Sequence, residues 1–250
     1  MPPGSIDKAA IGRAFGRAAH SYDSHAQLQR HSGNRLLDAL ADHPGQRLLD
    51  AGSGTGYFSK RLRDQGKTVI ALDVSEKMLE FARQQHSADG YLLGDIEQLP
   101  LADASLDLVF SNLAVQWCQL PLALAELHRV IRPGGRVAFS TLAEGSLDEL
   151  RQTWEQLDGC RHTNRFLPFA ELYTIARPYR AELQQETHTM YFADLPSLLH
   201  SLKGIGATWL QEGRSQGLFS RARLQALSDT YPKTPRGLPL SYRLVYGLLG

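Results

Sequence analysis

Cysteine is scarce. The 250 residues hold only Cys118 and Cys160, too few for a disulfide framework and without the spacing of a metal knuckle, which fits a chain kept in the reducing cytoplasm. Long apolar runs are also missing. No uninterrupted stretch approaches the ~18–20 residues that a membrane-spanning helix needs. The opening MPPGSIDKAAIGRAFG lacks the apolar centre of a signal peptide, so neither a membrane span nor export is expected. An excess of one charge is absent too: the net charge is +1, and nothing global asks for nucleic acid. No internal repeat or low-complexity segment interrupts the chain. What remains is a length suited to one α/β domain, residues 1–250, with a full core.

The charge is unevenly placed. Residues 1–160 carry 16 Lys+Arg against 20 Asp+Glu, a balance of −4, whereas residues 161–250 carry 11 against 6, a balance of +5. The basic end is either ordinary solvated surface or a face for an acidic partner or substrate.

From about residue 47 to 141, strand and helix patterns alternate. RLLDAG, KTVIALDVS, GYLLGD, SLDLVFSNL and RVAFSTL read as strands. Between them, TGYFSKRLRDQG, SEKMLEFARQQH with Ser75 as N-cap, and PLALAELHRVIRPGG closed by Pro-Gly-Gly read as helices. Such alternation implies parallel βαβ units in a doubly wound sheet. Beyond it, AELQQETHTMYF and LSYRLVYGLL read as two further strands, for a mostly parallel seven-stranded, Rossmann-like sheet. Residues 1–42 read as N-terminal helices forming a lid. Residues 194–235, with LPSLLHSLKGIGATWL and RARLQALSDTY, read as a helical insertion on the substrate side.

The first strand runs into LLDAGSGTG, with glycines at 52, 54 and 56. A dinucleotide fingerprint, G-x-G-x-x-G/A, needs a small residue at 57 for close helix packing; Tyr57 stands there. Asp50 precedes the glycines, where a pyrophosphate would meet unwanted negative charge. A phosphate-free, positively charged cofactor suits that acid better, and S-adenosylmethionine is one. Asp73, 21 residues after Gly52, ends the second strand where a carboxylate can accept both ribose hydroxyl protons. Asp95 ends the third strand, placed to accept from an adenine amino group. With Asn112 these acids should converge at the carboxyl ends of the strands. Singly, each Asp is as readily a turn or helix cap.

LLDAGSGTG, VIALDVSEKML, GDIEQLPLADASLDLVFSNLAVQW and ELHRVIRPGGRVAFSTL resemble the successive motifs of class I S-adenosylmethionine-dependent methyltransferases. AFGRAAHSYDSHAQLQR, SNLAVQWC, RFLP and SLKGIGATWLQEGR narrow the resemblance to the malonyl-acyl-carrier-protein O-methyltransferases of biotin synthesis. It spans nearly the whole chain. The resemblance implies S-adenosylmethionine as cofactor, no metal, and an acyl-carrier protein bearing a malonyl group as partner. A monomer is expected, and the cysteine usage, the net charge and the lack of apolar runs leave the cytoplasm, with no nucleic-acid or membrane partner.

The expected cofactor set is Tyr22, Asp50, Ala51, Gly52, Ser53, Gly54, Gly56, Asp73, Val74, Met78, Asp95, Ile96, Asn112 and Leu113. A malonyl carboxylate is already ionised at neutral pH, with an ordinary pKa near ~4, so no general base is needed and catalysis is positioning. Tyr22, Gln116 and Trp117 are the candidates for that task. His25, Arg165, Lys203, Arg214, Arg221 and Arg223 are the candidates for holding the acceptor or its carrier, with Arg243 on the same basic stretch. Trp117 and Met78 are equally at home as core residues, and His25 or any single Arg as plain surface. Two other readings stay open: an acceptor that is a free small molecule, and a nicotinamide-dependent oxidoreductase or cofactor-binding regulatory module. Tyr57 and Asp50 count against a nicotinamide cofactor.

Overall fold

Five leucine- and valine-rich runs form strands where the periodicity expects them: β1 (Arg47–Ala51), β2 (Thr68–Asp73), β3 (Gly90–Leu93), β4 (Leu106–Asn112) and β5 (Ile131–Leu142). β6 (Glu182–Phe192) and β7 (Leu238–Leu249) complete a seven-stranded sheet in the order β3-β2-β1-β4-β5-β7-β6. The first five strands are mutually parallel, and β7 runs antiparallel between β5 and β6. The computed structural model describes residues 6–160, 162–206 and 221–250.

The central strands are buried on both faces. Leu48, Val69, Leu108, Phe110 and Ala138 point to one, Leu49, Leu72, Val109, Val137 and Phe139 to the other. Strands covered on both sides lose polar alternation, which is why they read as continuous apolar runs. The first face is covered by α2 (Gln27–Leu40), α3 (Tyr57–Asp64) and α6 (Asp148–Asp158), through Leu36, Leu37, Phe58, Leu62 and Trp154. The second is covered by α5 (Leu120–Val130) and α7 (Phe169–Ala176), through Ala123, Leu124, Leu127 and Leu172. Each such large side chain contributes about 1.5–3 kcal/mol by leaving water. α4 (Glu76–Gln84) follows β2, and Ser75 caps it by accepting from Met78 N.

The N-terminal stretch is helical, as expected, but broken at Ala26 into α1 (Lys8–His25) and α2. α1 crosses close over the turn between β2 and α4. A Cβ at Gly12 would stand 3.0 Å from Val74 O, and one at Gly16 3.0 Å from Ser75 Oγ.

Three boundaries differ from the sequence reading. The helix expected to run through RVIRPGG ends at Val130, and β5 begins at Ile131; Pro133 disfavours helical geometry at Arg132 and has no N–H to donate. Residues 143–180, unassigned by pattern, contain α6 and α7. The helix read over LPSLLHSLKGIGATWL is α8 (Leu195–Gly204), and RARLQALSDTY holds α9 (Arg221–Thr230). Residues 207–220, including Arg214, lie outside the described residues.

At the end of the sheet opposite the glycine turn, Asp107 is almost fully buried. Its carboxylate accepts from Gln46 N (2.6 Å) and Arg47 N (3.0 Å) and pairs with Arg132 Nε at 2.8 Å. Burial pushes its pKa up, but these two N–H groups and the charges of Arg132 and Arg47 outweigh it and hold it below the usual value. A depressed carboxyl contributes stability above its unfolded pKa and loses it as the pH falls through the folded value. Asp107→Asn is expected to cost about 1–3 kcal/mol at neutral pH, because an amide N–H₂ would face Arg132. Urea titrations should show that difference closing below about pH 4. A pH-independent difference would mean the carboxylate's charge is not what matters there.

Candidate active site

The strand order reverses direction between β1 and β4, and a crevice opens there at the carboxyl ends of the strands. Gly52 N and Ser53 N donate to Leu72 O at 2.8 and 2.9 Å, fastening the glycine turn to β2. Gly52 and Gly54 take φ of +83° and +54°, the left-handed region that favours glycine. A Cβ at Gly52 would meet Ala114 Cβ at 2.4 Å, whereas one at Gly54 would meet nothing within 4 Å. The Gly54 backbone therefore faces open space. Asp73 Oδ2 accepts from Gly54 N and Oδ1 from Ser75 N, both at 2.8 Å. Burial raises the Asp73 pKa, against the pull of the backbone N–H groups of Ser75, Gly54 and Val74. Asp50, 2% exposed, accepts from Ser59 Oγ at 2.6 Å. Burial, reinforced by Asp73 and opposed by Ser59, pushes it up to about 7.

Three neighbouring cavities share these walls. The first, about 610 Å³, lies over β2 and β3 and is lined by Asp73, Val74, Met78, Asp95, Ile96 and Leu113, among others. The second, about 410 Å³, lies between the glycine turn and the start of α2, against Asp50, Ser53, Gly54 and Thr55. The third, about 720 Å³, is mostly apolar, with Leu28, Leu142, Leu150, Phe166 and Leu202 in its walls and Gln116, His162 and Asn164 as polar points. Tyr22 borders all three. Removal from water, with Asp73, Asp23 and Asp50 nearby, drives its phenol pKa far above the ordinary value. It is a neutral O–H at the junction.

Most of the expected cofactor residues meet here: Tyr22, Gly52, Gly54, Asp73, Val74, Met78, Asp95, Ile96, Asn112 and Leu113 line the first cavity, and Asp50 and Ser53 the second. Ala51 and Gly56 line neither. Ala51 is fully buried in β1, and Gly56 is the N-cap of α3, where a Cβ would strike Ser87 Oγ at 2.2 Å. Close helix packing thus falls on Gly56, not on residue 57. Tyr57, at 37% exposure, points out beneath Arg30 and Arg61, so its bulk does not by itself exclude a dinucleotide. Asn112 is committed within the protein: Oδ1 accepts from Ser32 Oγ (2.7 Å) and Ser140 Oγ (2.8 Å), and Nδ2 donates to Gln29 O (2.9 Å). Leu113 takes φ +50°, unusual for a leucine, at the cavity rim.

Gln116 and Trp117 border the third cavity, Trp117 stacking edge-on against Phe15 with ring centroids 5.4 Å apart. The expected acceptor-side residues are less gathered. His25 is outside all three cavities, its Nδ1 2.9 Å from Ser21 O and its ring beside His200. Arg165 is exposed between the cavity residues Asn164 and Phe166, and Lys203 and Arg221 are exposed at the ends of α8 and α9. Arg223 is paired with Asp158 and lies over Trp154, which ties α9 to α6. Arg243 bonds Thr187 across β7 and β6.

Pattern reading missed several wall residues. Lys8 reaches from α1 to Asp95 (3.0 Å), Glu97 (2.5 Å) and Cys118 Sγ (3.3 Å). Its ammonium lies within reach of all three of Asp95, Glu97 and Cys118, a group whose ligand atoms are close enough together to hold a metal ion. Burial still keeps the Cys118 thiol up at about 12, so Cys118 is not a thiolate nucleophile. His162 lines the third cavity with Nε2 on Asp158 Oδ2 at 2.8 Å. Gln29, Arg30 and Phe15 also line cavities. Their only sequence signal was a place in AFGRAAHSYDSHAQLQR; a helix face over a crevice has no signature of its own.

The chain is 58% identical over 246 residues to the malonyl-acyl-carrier protein O-methyltransferase of Pectobacterium atrosepticum, covering 98% of this chain and 97% of that protein. It belongs to the malonyl-acyl-carrier-protein O-methyltransferases. The Yersinia pestis member is 54% identical over all of this chain and 94% of its own. A model of the methyltransferase domain matches residues 49–139, β1 to β5. Among solved structures, the YcgJ protein of Bacillus subtilis superposes with a TM-score of 0.59 at 18% identity, over 88% of this chain and 98% of its own, a likeness of fold. In this methyltransferase the family assignment covers α6, residues 162–166, α8 and β7, the walls of the third cavity.

The raised carboxyl of Asp50 has a consequence for stability. Its unfolded value lies near ~4 and its folded value at about 7, so the folded state holds a proton that the unfolded chain releases between them. That contribution is complete below the unfolded value and is lost as the pH rises through the folded one. Ligand-free wild type is expected to lose stability relative to Asp50→Asn between about pH 4 and pH 7, by on the order of a few kcal/mol. Parallel melting profiles for the two proteins would show that Asp50 is already ionised in the free protein.

Proposed function

We infer that this chain transfers the methyl group of S-adenosylmethionine to the free carboxylate of a malonyl group carried on an acyl-carrier protein, giving the methyl ester. The full-length identity to proteins of that name supports this reading most strongly, because it includes the walls of the third cavity as well as the glycine turn. The residues present suit the cofactor. An open Gly54 backbone, a buried carboxylate on β2 and an apolar wall of Val74, Met78 and Ile96 match an adenosine. A buried acid, Asp50, held by the Ser59 hydroxyl and bordering the second cavity, matches an ammonium.

Bound S-adenosylmethionine supplies an electrophilic methyl on a sulfonium. An ionised malonyl carboxylate could take that methyl as the S–C bond breaks and the electron pair goes to sulfur, and no residue would have to remove a proton. The protein's part is alignment and exclusion of water. Asp73 holds the ribose hydroxyls and Asp95 the adenine amino group. Tyr22, a neutral donor bordering all three cavities, orients groups at the junction. Phe15, Leu113 and Trp117 border both the first and the third cavity and keep water from the reacting atoms. Gln116, whose Nε2 is bound to Leu113 O, presents Oε1 on the acceptor side. α1 and α2 act as the lid of a single domain, residues 47–141 as its cofactor core and 194–235 as its substrate side. Lys203 and Arg221 offer exposed charge to an acidic carrier. Free Cys118 and Cys160 suit a reducing cytoplasm, and among the described residues no helix is long and apolar enough to cross a membrane.

Radiolabelled methyl from S-adenosylmethionine should appear on malonyl-carrier protein as a base-labile ester, with malonyl-coenzyme A and free malonate poorer acceptors. Equal use of free malonate would favour a small-molecule acceptor instead. Lys203→Glu should raise KM for the carrier substrate by roughly threefold or more and leave S-adenosylhomocysteine binding alone; an unchanged KM would make that end of α8 plain surface. Asp73→Ala should weaken S-adenosylhomocysteine binding by at least about 1–3 kcal/mol, since Gly54 N and Ser75 N lose their acceptor together with the ribose. Unchanged affinity would remove Asp73 from the cofactor site.

A further inference from the structure

The second cavity holds an unmet demand. Arg30 Nε and Ser53 Oγ are both buried there without a hydrogen-bond partner among the described residues. The rest of Arg30 is held in place: NH2 donates to Asp23 O at 2.6 Å, and its guanidinium lies 5.0 Å from the centroid of the Tyr57 ring. One edge of the fork is tied down and stacked, and the Nε edge is left with a proton and no acceptor. A buried N–H of a charged group is costly to leave unpaired, so the arrangement fits a state in which an oxygen of an anion is present.

The same cavity excludes a simple anion. Asp50 and Asp23 border it too, Asp23 accepting from Thr55 Oγ1 at 2.8 Å. One guanidinium beside two carboxylates, in a space reached past Gly52 and Gly54 from the first cavity, suits a group with both charges. A free α-amino acid end has that pattern: ammonium toward Asp50, carboxylate toward Arg30 and Ser53.

We propose that Arg30, with the Ser53 hydroxyl, binds the carboxylate of the amino-acid end of S-adenosylmethionine. The assignment rests on the cofactor reading above and deepens it. It also gives α2 a direct share in the cofactor site. Arg30 follows Gln29, whose carbonyl accepts from Asn112, and precedes Ser32 by two, whose hydroxyl donates to Asn112. The cofactor's amino-acid end would thus be shared between the start of α2 and the glycine turn.

Calorimetry with two ligands separates the possibilities. S-adenosylhomocysteine carries the amino-acid end, and 5′-methylthioadenosine lacks it but keeps the adenosine and sulfur. For the full chain, Arg30→Gln is expected to weaken S-adenosylhomocysteine binding about 10- to 100-fold and to leave 5′-methylthioadenosine binding within twofold of wild type. Ser53→Ala should show the same selectivity with a smaller loss, and Arg30→Lys should recover part of the affinity. Equal loss of both ligands in both Arg30 variants, or no loss of S-adenosylhomocysteine binding, would overturn the role of Arg30 and leave the cofactor reading standing. Wild-type protein that binds neither ligand would overturn both.

Discussion

One carboxylate sets the geometry of the crevice. Asp73 ends β2, and its two oxygens accept from the backbone of two different turns, Gly54 N after β1 and Ser75 N at the head of α4. The two parallel strands are thereby joined above the sheet as well as within it. Gly52 and Ser53 add their bonds to Leu72 O from the same side. With those four N–H groups satisfied, the glycine turn keeps one face open, at Gly54, where a side chain would have filled the space. The acid is kept out of water, so its carboxylate depends on these donors rather than on solvent.

The covering helices depend on that arrangement. α1 lies close over Val74 and Ser75 because Gly12 and Gly16 carry no side chain there. α2 is secured by the Asn112 amide, which reaches Ser32, Gln29 and Ser140 and so joins α2, β4 and β5 through one half-buried group. Asn112 was expected at the cofactor; it does border the cavities, but its hydrogen bonds serve the lid-side helix. The division of labour follows from capacity. An amide with its oxygen shared by two hydroxyls and its nitrogen given to a carbonyl has little left to offer a ligand.

The parallel core was largely legible from pattern. Fully buried strands produce apolar runs, helices between them end on glycine or begin on a capping serine, and the acid at each strand end follows from the switch-point geometry. Elsewhere the pattern was weaker. α6 and α7 join β5 to β6 across a stretch that mixes charged residues with single apolar anchors such as Leu150, Trp154 and Leu172. Pro133 stopped α5 earlier than its glycines suggested. Tyr57 was weighed as if it faced the strand, but the helix N-cap moved that contact to Gly56.

The identity of the fold, and the acids at or just beyond the ends of β1, β2 and β3, were determined by sequence alone, because they depend on periodicity and on spacing within one βαβ unit. Which polar groups share a cavity was decided only by tertiary structure. Lys8 meets Asp95 across 87 residues, and His162 enters an apolar cavity built from α2, β5, α6 and α8. Arg30 shares a cavity with Ser53 from a helix whose face over the crevice has no periodic signature. The basic balance of the C-terminal part likewise resolved into separate fates: Arg223 joins α9 to α6, Arg243 joins β7 to β6, and Lys203 stays in water. The physical reason is common to all of them. Local sequence dictates what a segment becomes, while pairing between distant charges depends on which helix faces are brought over the sheet, and that is a property of the packed chain.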